Sequence, residues 1–260
     1  MIDIEKAKLS LKKFLDKYDD KNELGFKLKV EHTYHVVDKA KEIATKLNLS
    51  DEDVYLAQLI ALLHDIGRFE EITYLKQFDS VGFDHASYGV KMLFEENLIK
   101  TFIEDDSYDE IIKVAIENHS RLTIEEGLNE RCLLHSKIIR DADKLDNFRV
   151  KIEENIEEIF PGKVKNKDDM ENSKISDKVY NAIKNEKCVD IHDRETLLDY
   201  WVCILAFAFD LNFKQSYEIV QNNNYIDNLI DRLTYNDFDT KQRIEYIRNI
   251  INNFINNKVK

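Results

Sequence analysis

The chain has 260 residues, 43% of them apolar, with 6 glycines, 1 proline and a formal net charge of −13. That length and apolar content support one large or two small folded domains and exclude general disorder, while the shortage of turn residues speaks against an all-β fold. The acidity argues against a nucleic-acid polymer or an anionic membrane surface as partner.

In chain order, residues 3–18 read as an amphipathic helix with Ile4, Ala7, Leu11, Phe14 and Leu15 on one face. This N-terminal stretch mixes acids and lysines and has no continuous apolar signal core. Gly25 marks a break, and a second helix over 31–48 carries Val36, Ala40, Ile43 and Leu47 as a stripe. Ser50, followed by acids, fits the N-cap of a third helix. Its segment VYLAQLIALL (54–63) is apolar almost all round and so should be buried. Gly67 fits a helix end, and 69–84 reads as loop. Residues 85–98, 108–119 and 130–148 read as helical. The polar stretch 161–177 reads as a surface loop, and 178–259 as at least three more helices. Cys132, Cys188 and Cys203 show no metal or redox pairing and read as small core residues. The run WVCILAFAF (201–209) is too short to span a bilayer, so a cytoplasmic protein with no membrane partner is expected. The fold class is all-α.

The buried third helix runs straight into His64 and Asp65. A carboxylate carried into an interior needs a salt bridge or a metal ion. His32 precedes Val36, Ala40 and Ile43 by four, eight and eleven residues, which puts it on the inward stripe. His35 is turned about 60° from that stripe, towards the polar side. His119 closes an apolar helix. Asp143 lies in IIRDADKLDN, where Leu133, Leu134 and Ile138 mark the inward side; Asp141, two residues away, cannot share its face, so one of the two should point inward. Imidazole and carboxylate together suit Mn, Fe, Co, Ni or Zn. The residues alone leave both a metal centre and a metal-free ion-paired cluster open.

The motifs also resemble, in order, those of the HD-domain superfamily of metal-dependent phosphohydrolases. They are HTYHVVDKAKEIATKL (32–47), LIALLHDIGR (59–68), DHASYGVKML (84–93), AIENHS (115–120) and RDADKLDN (140–147). The resemblance implies an all-α HD-domain helical bundle over 1–150. Residues 151–260 would be a helical extension that covers the core, shapes the pocket or builds a homodimer. It implies His32, His64, Asp65 and Asp143 as the four core metal ligands. His85 and His119 match the extra histidines of two-metal branches, with Asp65 bridging two divalent ions (Mn, Fe, Co, Ni or Zn, with Mg admissible). One departure is clear: His119 is followed by Ser120 and Arg121, and the adjacent histidine and Gly-Tyr-Pro motif of the HD-GYP cyclic-dinucleotide branch are missing.

Arg68 matches a basic position that contacts phosphate in some relatives. Asp65, Arg68, Lys144, Arg121 and His35 form the expected catalytic set, His35 as a donor to a leaving group. Asp146 is either an orienting partner or a surface acid, and His135 and His192 match no motif. The implied activity is hydrolysis of a phosphate ester or phosphoanhydride by a metal-bound hydroxide. The chain's acidity favours a small substrate such as a nucleotide. The rival readings are a di-iron oxygenase built on the same fold and a nucleotide-binding protein without turnover.

Overall fold

A computed structural model of the chain describes residues 2–76, 82–160 and 163–260. The chain is all-α, with no strand among the described residues. It divides into two packed units, Met1–Asp146 and Asn147–Lys260. No helix is long and apolar enough to cross a membrane, among the described residues.

The first unit holds helices α1 (Ile4–Leu15), α2 (Leu24–Lys46), α3 (Asp51–Leu63), α4 (Ile66–Leu75), α5 (His85–Val90) and α6 (Asp109–His119), and most of α7 (Glu130–Glu153). Helix α1 buries Ile4, Ala7, Leu11 and Leu15 as the periodicity predicts. Ser50 caps α3 by accepting from the Asp53 amide at 3.1 Å, and every residue from Leu56 to Leu63 is buried. The one strongly polar member, Gln58, donates back to the Val54 carbonyl at 3.1 Å. Helix α3 packs on α2, α1 and α6, so this apolar rod lies in the core and His64 follows at its end.

Several sequence expectations shift. Gly25 does not break the chain but sits in the first turn of α2, which starts at Leu24 rather than at 31. The helix does stop at Leu63, yet Gly67 is not its terminator: it lies inside the next helix, α4. A Cβ there would fall 2.3 Å from the His85 carbonyl oxygen and 2.7 Å from the Gly89 amide nitrogen. Glycine is required because α4 and α5 cross backbone to backbone. Much of the expected 69–84 loop is therefore helix, through Leu75. Residues 77–81 and 161–162, parts of the two expected loops, lie outside the described residues. The segment expected as one helix over 85–98 is α to Val90 and then a wider π turn over Lys91–Glu95.

The second unit contains α8 (Ile156–Ile159), α9 (Lys167–Glu171), α10 (Asp177–Lys184), α11 (Leu197–Leu205), α12 (Lys214–Asn222), α13 (Tyr225–Asp231) and α14 (Phe238–Val259). Helix α14 packs on α10, α12 and α13 through Ile244, Ile247, Ile251 and Ile255. The WVCILAFAF run forms most of α11 and a following 3₁₀ turn, with Trp201 buried and its indole N–H donating to the Leu229 carbonyl at 3.2 Å.

Candidate metal centre

Four helix ends and two helix interiors deliver the site. His32 comes from the middle of α2 and Asp143 from the middle of α7. His64 and Asp65 form the two-residue joint between α3 and α4. On a continuous helix neighbouring side chains diverge by about 100°. Here Asp65 leaves the helical conformation (φ −109°, ψ 20°), and its Oδ2 comes within 3.0 Å of His64 Nε2. His85 opens α5, whose N-cap Asp84 accepts from the amides of Ala86 and Ser87. His119 closes α6, where the buried Arg140 guanidinium donates to the carbonyls of Asn118 (2.8 Å), Arg121 and Leu122 (3.2 Å). A cation on those orphan carbonyls also suits the negative end of the helix dipole.

The donors fall into two groups that share one residue. His32, His64, Asp65 and Asp143 can offer atoms that all lie within 4.8 Å of one another, and so can Asp65, His85 and His119. Asp65 divides its oxygens between them. Its Oδ2 faces His64 Nε2 (3.0 Å) and His32 Nε2 (3.8 Å), and its Oδ1 faces His85 Nε2 (3.3 Å) and His119 Nε2 (3.6 Å). Asp143 Oδ1 lies 3.0 Å from His32 Nε2 and 3.9 Å from His64 Nε2.

The ring tautomers are set from behind. Nδ1 of His32 donates to Asp146 Oδ2 at 2.6 Å, that of His64 to the Ala61 carbonyl at 2.7 Å, and that of His119 to the Ile116 carbonyl at 2.6 Å. Carbonyls and carboxylates accept only, so each Nδ1 carries a proton and each Nε2 is the atom turned to the centre. His32 Nε2, His64 Nε2 and Asp65 Oδ1 are buried without a hydrogen-bond partner. Buried orphans of this kind are costly; the two Nε2 atoms face the first donor group and Asp65 Oδ1 the second, and such atoms fit cations. Burial would favour neutral carboxyls. Against it, the His64 and Lys29 charges beside Asp65 hold that carboxyl well below the usual range. The His32 imidazole, 3.0 Å away, does the same for Asp143. Asp65 acts in turn on His64, raising it above the ordinary imidazole value despite its burial. His85 goes the other way, lowered by burial and by the Arg68 charge.

The structure thus brings together His32, His64, Asp65, His85, His119 and Asp143. Arg68 joins them, though not as an open phosphate contact past a helix end. It lies inside α4, buried, with its guanidinium held by Glu71 and 3.1 Å from His85 Nε2. Lys144 is buried on the next residue after Asp143. The other two expected catalytic residues sit apart. His35 is half-buried beside Glu31 (3.6 Å), on the polar side that its spacing predicts, and Arg121 is exposed and paired with Glu125 at 3.1 Å. Asp146 is a fully buried acceptor for His32, not a surface acid. Asp141 is fully buried as well, outside the cluster, so the expectation that one of Asp141 and Asp143 points inward does not hold. His135 is a buried histidine outside both groups, its Nε2 3.1 Å from Asp53, and His192 is exposed.

The comparisons agree with the geometry. Residues 30–147 match the model of the HD domain family. Over this segment, a little under half of its length, the chain is similar to the HD domain family. The matched segment of the HD domain starts two residues before His32, ends one after Asp146 and encloses every donor of both groups. Comparison with curated proteins gives no match, and neither does comparison with solved structures.

Sequence reasoning missed Lys29, whose ammonium contacts Asp65 Oδ2, together with Glu71 and Arg140. Lys29 had a signal: it precedes His32 by three residues, one turn along the same face.

Proposed function

We propose that this protein is a metal-dependent phosphohydrolase that uses two divalent ions on a small phosphorylated substrate, a nucleotide being the favoured class. The supporting observation is Asp65, one oxygen in each of two donor groups. Of the candidate ions, Mn, Fe, Co, Ni and Zn suit a set of four imidazoles and two carboxylates. His32, His64 and Asp143, with Asp65 Oδ2, would hold one ion, and His85 and His119, with Asp65 Oδ1, the other. Such ions supply Lewis acidity and a water acidified to near neutral pH.

The chain's own residues do the rest. Asp146, Ala61 and Ile116 lock three imidazoles with Nε2 inward, so these three rings need no reorganisation. Arg68, braced by Glu71, adds a fixed positive charge beside the second group, where phosphoryl oxygens need neutralising. The chain's net charge of −13 favours a compact anion reaching a local cationic site over an extended nucleic acid. A homodimer and a cytoplasmic setting complete the proposal.

The test is release of inorganic phosphate or nucleoside from a panel of nucleotides and simple phosphate esters with Mn²⁺, for wild type and Asp65→Ala. Turnover by wild type that falls to background in the variant, with helical circular dichroism retained, is the expected result. No turnover on any ester would overturn it; iron content with an oxygen-dependent absorption change would then favour the oxygenase, and tight nucleotide binding alone the binding protein.

A further inference from the structure

Lys29 and His32 share one face of α2, a turn apart. The Lys29 ammonium contacts Asp65 Oδ2, the same oxygen that lies 3.0 Å from His64 Nε2 and belongs to the first donor group. Among the described residues, Asp65 is its sole ion-pair partner. The other cation near Asp65 differs. Arg68 lies 3.8 Å from Asp65 Oδ1 and has Glu71 to balance it. The Lys29 side chain is 14% exposed, so solvent reaches it, while His64 is fully enclosed. Lys29 is therefore, with Asp143, one of the cluster's members that solvent reaches.

Two constraints follow from charge alone. A divalent ion and an ammonium compete for Asp65 Oδ2, because two cations on one oxygen repel at contact distance. An ion that wins this oxygen leaves a largely buried ammonium with no anion, which is costly unless a new partner comes. A phosphoryl oxygen entering from solvent is a partner of the required charge and hydrogen-bonding type. We propose that Lys29 couples ion binding to phosphate binding: it competes with an ion for Asp65 Oδ2 and, once displaced, becomes the lysine contact of the substrate phosphoryl group. This rests on the metal centre described above and adds a residue and a linkage to it.

The experiment is calorimetric titration of Mn²⁺ into wild type, Lys29→Met and Lys29→Arg, then of inorganic phosphate into the Mn²⁺-loaded proteins. Competition predicts that Lys29→Met binds Mn²⁺ more tightly than wild type while its phosphate affinity falls, by about fivefold or more, the low end of ordinary coupling between sites. In wild type, phosphate should tighten Mn²⁺ binding reciprocally, and Lys29→Met should lose much of that gain. Lys29→Arg should keep phosphate binding. Damage to the fold would weaken both ligands, so the opposed directions separate the two cases. Weaker or unchanged Mn²⁺ binding by Lys29→Met, or unchanged phosphate affinity, overturns the proposal and leaves the metal centre standing. Wild type that takes up no Mn²⁺, Fe²⁺ or Zn²⁺ overturns both.

Discussion

Both units of this chain bury an aspartate, and the two aspartates are treated in opposite ways. Asp199, in the unit starting at Asn147, is fully buried and accepts from the amides of Ser176 (2.9 Å), Glu195 (2.8 Å) and Thr196 (3.0 Å). Thr196 answers by accepting from the Asp199 amide, closing a capping box at the start of α11. Every donor is a backbone amide, and the charge serves the architecture. Asp65, in the unit ending at Asp146, faces imidazole Nε2 atoms and a lysine instead, and its Oδ1 has no hydrogen-bond donor. Burial of charge marks function only where local donors fail to saturate it. By that measure the site belongs to the first unit, and the second is a conventional core around Trp201 and the α14 isoleucines.

Substitutions in each unit sharpen the contrast. Gly67→Ala should have the largest effect on the fold. The new methyl meets the backbone of His85 and Gly89, so α4 and α5 must separate, at a cost of about 3 kcal/mol, the upper range for overpacking. Because His85 lies at that crossing, thermal melts and Mn²⁺ titrations should both deteriorate, with the His85 and His119 group suffering most. Asp199→Ala should cost ~1–2 kcal/mol through the lost cap and leave Mn²⁺ binding unchanged. A change in ion affinity in that variant would break the division of labour between the units.

Much of this was legible in the sequence, for physical reasons. A rod that is apolar all round must be interior, so the residues that end it are interior too. This located His64 and Asp65, and the stripe ahead of Val36 located His32. Face arguments failed where a helix is covered on most sides. In α7, Ile138, Ile139, Arg140, Asp141 and Ala142 are consecutive and all buried, whereas Leu133 and Leu134, expected to mark the inward side, are only half-buried. Periodicity cannot choose between Asp141 and Asp143 on such a helix. Gly67 was misread because one residue type serves two purposes: it ends helices, and it lets backbones touch. Only the position of α5, set by tertiary packing, distinguishes them. Arg140 had no local signal, since its acceptors are carbonyls about twenty residues earlier in the chain.

The most direct measurement of the central claim is the metal content of wild type, His119→Ala and Asp65→Ala after loading with Mn²⁺ and removal of excess. A shared Asp65 predicts two ions per chain in wild type, one in His119→Ala, and loss of both in Asp65→Ala with the helical content intact. Ion content that is unaffected by Asp65→Ala would contradict the account.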